Sequence, residues 1–374
     1  MKTLLITLEF PTSPHSAGLR GTRLPFYGGV ANYYGHLVKY YPEELSVLSD
    51  SERLIKPWPI KWLAAIVILF LTVIKKKIKY VLVGQILPLG TATWLVSYLL
   101  PIKYAVWLHG YDLNCALAVP RKVWLTKKIL GRAHKIICAN SYTAEQVKVI
   151  IDQKQLGKIK IVNPGLAGRP AYDETVLKKL RDLYNLGNKI VLFSLGRLVR
   201  RKGFDQVIKA LPLIVKETPS LVYYLAGSGP DQDYFQDQVK TLPTELRSRI
   251  QFLGSLNEAE KWHWLDLCDI FIMTPRDLAG DIEGFGIVYL EAALAGKPVV
   301  ASQSGGVADA VLDNQTGLVV DGENLTAISQ AISKLANYQG LRQRLGDNAR
   351  QRVIKDFHWS KLAKKVYNIV NELK

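Results

Sequence analysis

Two acids and a run of cations are the residues whose types and spacing could do chemistry. Glu283 and Glu291 stand eight positions apart in the stretch Asp281-Ile-Glu-Gly-Phe-Gly-Ile-Val-Tyr-Leu-Glu. Gly284 and Gly286 remove side chains where a helix over 286–295 is expected to begin, so a ligand can approach the backbone. The first amides of a helix are unsatisfied and carry partial positive charge, which suits a phosphate. A carboxylate repels a phosphate, unless a sugar or ribose sits between them. That combination describes a nucleotide-sugar, although a capped core helix with a solvated Glu reads the same way. The cations are Arg197, Arg200, Arg201 and Lys202, between Gly196 and Gly203. Buried unpaired they would be costly. At the end of a strand they fit a diphosphate clamp, with Arg bidentate and Lys a point charge; the alternative is a solvated loop.

The elements that must position these groups follow from the apolar pattern. Residues 2–8, 81–84, 104–110, 135–139 and 159–162 read as strands of a first half. Residues 189–195, 221–226, 250–253, 270–273, 297–302 and 314–320 read as strands of a second, with Gly317 at a bulge or turn. Glycine loops and helical stretches separate them. Gly28-Gly29 opens a helix to about residue 40, the arrangement that cradles phosphates in parallel α/β folds. His109 ends a strand, at the edge where open α/β sheets bind ligands, and Gly110 and Asp112 follow in a turn. Ser141 is expected as an N-cap. Asp231 and Asp233 form an Asp-x-Asp pair that could hold a divalent metal; first-turn acids complementing a helix dipole are the preferred reading. Asn163-Pro164-Gly165 is the expected boundary. The expectation is α/β: two doubly wound domains, 1–165 and 166–355, facing across a cleft, with a final helix over 356–374.

At 374 residues the chain has room for both cores. Its formal charge is +17, of which residues 1–165 carry +14. Such a field favours anionic partners. No zinc-finger, RNA-binding or basic-zipper pattern appears, so nucleic acid is the least favoured. Residues 57–79 are unusual: an apolar run from Trp62 with Trp58 at one end and Lys75, Lys76, Lys77 and Lys79 at the other. A membrane span needs about 20 apolar residues, and this run falls short. The preferred reading is a helix against an anionic membrane surface, through residues 53–79; the alternative is a buried core helix. Three scattered cysteines, Cys115, Cys138 and Cys268, are expected to be buried thiols in a reducing compartment. No secretory signal is read at the N-terminus, so a cytoplasmic location is expected, peripheral on the cytoplasmic face of a membrane.

Gly28-Gly29-Val30, His109-Gly110, Gly196-Arg197…Lys202-Gly203, the Glu283 and Glu291 pair, Pro298-Val299-Val300, Gly305-Gly306 and Asn314-x-Thr-Gly317 occur in one order. Together they resemble the retaining, GT-B-fold glycosyltransferases of family four. The local form from Asp281 to Val288 looks most like the mannosyltransferase branch, including the phosphatidylinositol mannosyltransferases. The resemblance implies a hexosyltransferase whose second domain binds a nucleotide-sugar, GDP-mannose by preference, without metal or other cofactor. It implies that Arg197 and Lys202 hold the diphosphate and Glu283 the sugar hydroxyls. Glu291 would hold the ribose, and the base would meet the backbone near Leu256. Gly284, Phe285, Gly286 and Ile287 would complete the donor site, Gly29 would let the first domain reach the diphosphate, and His109 would lie near the transferred sugar. The final helix would pack back on the first domain. A lipid-linked or membrane-associated saccharide is the implied acceptor. The alternatives are a UDP-hexose transferase with a soluble acceptor, an epimerase or a phosphorylase on the same fold, and an inactive scaffold. The chain departs from the family at Asp309, where Glu is usual, and at Gly165-Leu166-Ala167, where Gly-Val-Asp is usual, which leaves the hinge position open.

Overall fold

Short apolar runs without alternation, closed by Gly, Pro or charge, suit strands covered on both faces by helices. The computed structural model describes residues 2–11, 29–49, 54–55 and 62–372. In it, β1 (Thr3–Ile6), β2 (Leu45–Leu48), β3 (Tyr80–Val83), β4 (Lys103–Leu108), β5 (Lys135–Cys138) and β6 (Ile159–Ile161) form a sheet in the order β2-β1-β3-β4-β5-β6. Every pair is parallel. Successive residues feed opposite cores, as the two-residue strand period requires. Leu4 and Ile6 join Val81, Val83 and Val106 on one face. Leu5 joins Leu82, Ala105 and Trp107 on the other.

A second all-parallel sheet is built from β7 (Ile190–Leu195), β8 (Leu221–Ala226), β9 (Ile250–Gly254), β10 (Ile270–Met273), β11 (Val299–Ser302) and β12 (Gly317–Val320). Its order is β12-β11-β10-β7-β8-β9. The chain divides into Met1–Ala167 with Trp359–Lys374, and Gly168–His358. The last helix, Trp359–Asn371, therefore belongs to the first unit, where it packs on the helix Gly29–Tyr40. Trp359 sets its ring edge-on to Tyr33 at 4.8 Å and stacks on His36 at 5.8 Å. Its amide donates to the Leu166 carbonyl at 3.1 Å.

Several local expectations change. Asn140, not Ser141, caps the helix Ser141–Ile150: its extended backbone aims the side-chain oxygen at the Thr143 amide, 2.7 Å away. Gly317 is no bulge. It is the first residue of β12, paired with Val299, and a Cβ there would lie 2.5 Å from the Val299 carbonyl oxygen. Cys138 and Cys268 are buried, but Cys115 is exposed, because Tyr111–Leu117 turns Leu113 and Ala116 inward instead.

The apolar run becomes the helix Leu63–Lys76. Ala65, Leu69 and Val73 enter the core, while Val67, Leu71 and Ile74 are each more than half exposed. Thr72 is satisfied by donating to the Ile68 carbonyl at 2.7 Å. The helix packs on Leu89–Leu99, which exposes Tyr98 and Leu99. Among the described residues no helix is long and apolar enough to cross a membrane. Gly28, Trp58 and residues 53, 56 and 61 of the proposed membrane segment lie outside the described residues.

Candidate functional site

Strand order alone singles out one edge of the second sheet. From β7 the chain winds outward through β8 and β9, then returns to β10 on the other side of β7. Ligands of open α/β sheets bind beyond the carboxyl ends of the strands at such a reversal. Here that means the loops after Leu195 and Met273. They touch: Thr274 donates from Oγ1 to the Gly203 carbonyl at 3.1 Å. Gly203 has φ +74°, and a Cβ there would stand 1.8 Å from the Thr274 carbonyl oxygen. Only glycine fits, and this close approach turns the cationic loop toward the residues after β10.

Lys202 and Glu283 meet there. The Lys202 ammonium lies 2.5 Å from Glu283 Oε2, and Arg201 Nη1 donates to the same oxygen at 2.7 Å. Glu283 is 6% exposed and Lys202 9%. Burial alone would push the Glu283 carboxyl up, but Lys202 and Arg201 outweigh it and hold the group below the usual carboxylate range. The Glu283 backbone is fixed by the Gly-Gly pair. Its carbonyl accepts from the Gly306 amide at 3.0 Å, and a Cβ on Gly305 would fall 2.1 Å from that carbonyl oxygen.

The supporting shell includes residues that the sequence reading did not single out. Arg276 donates from Nη2 to both oxygens of buried Asp205, at 2.9 and 3.0 Å, and to the Arg200 carbonyl at 2.9 Å. Its amide donates to the Arg201 carbonyl at 2.7 Å. Asp233 lies in the first turn of the helix Gln232–Lys240, as a helix-dipole acid should, and Asp231 at its N-cap also accepts the Arg200 amide at 2.9 Å. Its carboxylate is drawn to the cationic loop, and no side-chain cap bond forms at its helix. Among the described residues no cluster of three or more His, Cys, Asp or Glu could hold a metal ion.

The remaining donor-site candidates are placed as follows. Arg197 lies on the same loop, exposed, with no ion pair to a described residue. Glu291 lies in the helix Ile287–Leu294, one turn in, with Lys261 Nζ 2.6 Å from Oε1. Burial pushes the Glu291 carboxyl up, and Lys261 only partly offsets this. Gly286 precedes that helix at φ +77°, where a Cβ would meet the Tyr289 ring at 2.5 Å. Gly284 lies between Glu283 and Phe285, whose buried ring faces Phe357, so a ligand would meet backbone rather than ring here. Ile287 is 41% exposed as the first helical residue. Leu256 follows Gly254, whose carbonyl accepts the Gly227 amide at 2.7 Å. Ser255 and Ser228 hydroxyls are 2.9 Å apart, so the loops after β8 and β9 are joined at the same edge.

In the first unit, Gly29 begins its helix, and no atom of the other described residues lies within 4 Å of where a Cβ would stand. His109 follows β4 directly. The Tyr34 hydroxyl donates its single proton to the Gly84 carbonyl at 2.7 Å, so it must accept from His109 Nε2, also at 2.7 Å. His109 is therefore the Nε2–H tautomer, with Nδ1 as an acceptor. Burial lowers its pKa to about 4, so the ring is neutral at neutral pH. Its amide donates to Asp112 Oδ1 at 2.9 Å. Burial pushes the Asp112 carboxyl up to about 6, and backbone hydrogen bonds oppose that.

Two doubly wound parallel-sheet units, the second with an acid held by cations at its strand-order reversal, have the architecture of the GT-B fold. The family model Glycosyl transferases group 1 matches residues 178–352, which lie within the second unit. The chain is 34% identical over 199 residues to the GDP-mannose-dependent alpha-(1-6)-phosphatidylinositol monomannoside mannosyltransferase of Mycolicibacterium smegmatis, covering 52% of each chain. It is 24% identical over 261 residues to the mouse Alpha-1,3/1,6-mannosyltransferase ALG2, covering 67% of this chain and 61% of that one. The chain thus spans about half the length of the first of these relatives. Among solved structures, Anabaena HepE in complex with UDP matches with a TM-score of 0.76 at 17% identity, covering all of both chains. A glycosyltransferase from Rickettsia africae matches at 0.78 and 17%, covering 99% and 98%.

Proposed function

We propose that the protein is a retaining hexosyltransferase that moves mannose from GDP-mannose to a lipid-linked or membrane-associated saccharide. The observation that carries the reading is the meeting of Lys202 with Glu283 at the strand-order reversal, inside the region that matches the family. The printed name of the M. smegmatis relative favours GDP-mannose as donor and a glycolipid as acceptor.

Breaking the sugar–phosphate bond leaves positive charge on the sugar ring and added negative charge on the diphosphate. Arg197, Lys202 and the first amides at Gly286 and Ile287 stabilise the diphosphate. Glu283 accepts from the sugar hydroxyls and Glu291 from the ribose, while the backbone near Leu256 meets the base. In the first unit, His109 offers a neutral ring at the carboxyl end of β4. The acceptor oxygen bonds to the anomeric carbon as the bond to the phosphate oxygen breaks, and the departing diphosphate takes the acceptor proton. Two cations on one Glu283 oxygen weaken it as a nucleophile, which favours an orienting role over a covalent intermediate. A trapped glycosyl–enzyme would reverse that choice. Protein cations replace a metal in this scheme, so transfer persists in EDTA.

The outward apolar stripe of Leu63–Lys76, ended by Lys75, Lys76 and Lys77, fits an anionic membrane surface. The protein then sits peripherally on a cytoplasmic face. Leu71→Glu abolishes flotation with anionic vesicles without lowering the melting temperature; flotation equal to the wild type removes the membrane assignment. For the donor, thermal shift against GDP-, UDP- and ADP-sugars is decisive, because a ligand that binds only the native state raises the melting temperature. GDP-mannose gives the largest shift. A larger shift with a UDP-sugar changes the donor, and no shift with any nucleotide removes the enzyme reading.

A further inference from the structure

Both cations at Glu283 reach one oxygen, yet they are anchored differently. Lys202 has no other ion pair among the described residues, and its ammonium rides on a flexible stem. The Arg201 guanidinium is held from a second edge, with Nε 3.0 Å from Asp281 Oδ1. The Arg201 carbonyl is fixed by the Arg276 amide at 2.7 Å. Asp281 itself closes a tight turn. Leu278 and Asp281 exchange backbone hydrogen bonds of 3.2 and 3.0 Å around Ala279 and Gly280, at φ +52° and +81°. An alanine rarely occupies that left-handed region, and here it is kept in a turn that aims Asp281 at Arg201.

We propose that Arg201, steadied by Asp281, is a positioning residue that keeps the Glu283 carboxylate seated when Lys202 turns to the donor diphosphate. The proposal rests on the transferase reading above. A carboxylate this buried cannot lose its only counter-charge cheaply. With Lys202 as sole partner, either the lysine stays on Glu283 or the acid takes up a proton. With Arg201 present, the lysine can serve the phosphate while Glu283 remains an ionised acceptor for sugar hydroxyls. The charged and titratable groups around Glu283 are Lys202 and Arg201 in direct contact, Asp281 beyond Arg201, and Tyr289 within electrostatic range.

The test uses the full chain with Arg201→Gln, Arg201→Lys and Asp281→Asn. Three quantities are read: calorimetric affinity for GDP, kcat, and the pH profile of kcat/KM. For Arg201→Gln, kcat falls about 10- to 100-fold, the range for loss of a supporting partner. GDP affinity stays at the wild-type value, and the acid limb moves up by about one pH unit, as loss of one neighbouring cation requires. Arg201→Lys restores part of both. Asp281 is mostly exposed, so Asp281→Asn keeps the fold and gives a smaller change in the same direction even where Arg201→Gln fails to fold. GDP affinity falling in step with kcat means that Arg201 holds the diphosphate, and overturns the proposal. Unchanged kcat and an unchanged acid limb in all three variants overturn it too. No GDP binding by the wild type removes the donor assignment and the proposal with it, whereas wild-type binding with either preceding outcome removes only the role of Arg201.

Discussion

Lys202 is the residue on which most depends, because it joins the cationic loop to the acid. Lys202→Ala and Arg197→Ala each cost about 3–4 kcal/mol of barrier, or roughly 10²–10³ in rate, the typical loss of one preorganised donor. Single-turnover rates check this, and values within a few-fold of wild type for both exclude the diphosphate assignment. His109 makes a different, thermodynamic prediction. Its folded pKa is depressed to about 4 by burial, so its contribution to stability is present above its unfolded value and is lost as pH falls. With an unfolded pKa of about 6.5, the loss by pH 5 is about 2 kcal/mol. Urea titrations check it: the wild type loses about that much more than His109→Gln between pH 7 and 5. Asp112, pushed up to about 6, acts in the opposite sense, since its contribution is lost as pH rises through that value. The residue types of the site were legible from sequence. The partnerships were not: Arg201 read as one of four cations, and Lys261 carried no signal except its place on a helix three residues after Glu258.

At the scale of elements, the glycines fix loop against loop. Gly305 sits at φ +51° with the Glu283 carbonyl oxygen where a Cβ would be. Gly305→Ala must move the acid's loop, at a cost of about 1–3 kcal/mol for a strained backbone position. Urea denaturation gives that stability loss, and nucleotide calorimetry shows weaker donor binding; unchanged values in both refute the role. The strands other than β2 were readable because parallel strands are apolar throughout, and the glycine loops because they punctuate them; β2 is short, carries Ser46 and was not among the runs read. Cap identity at residue 140 was not readable, nor was the choice between bulge and turn at Gly317. Asn and Ser are both good caps, and a glycine excluded by a neighbouring strand looks the same in sequence as one at a bulge.

The whole molecule adds one constraint, that its first unit is closed by its last helix. Trp359, Leu362, Ala363, Val366, Ile369 and Val370 are all buried against the first sheet's core. Burying one such aliphatic side chain is worth about 1.5–3 kcal/mol, and a domain's net stability is only about 5–15. Truncation after residue 358 therefore removes the first unit's cooperative unfolding transition and leaves that of the second, as calorimetry would show. A truncated chain that keeps both transitions excludes this. The sequence by itself determined where most apolar segments become strands, which loops are glycine-rich, that four cations follow a strand, and that two acids flank the start of a helix. Those are local properties, set by periodicity and side-chain chemistry within a few residues. Only the tertiary structure decided which cation meets which acid. Arg201 and Glu283 are 82 residues apart, Lys261 and Glu291 30, and the crossover connections that join them leave no local pattern of where a side chain points.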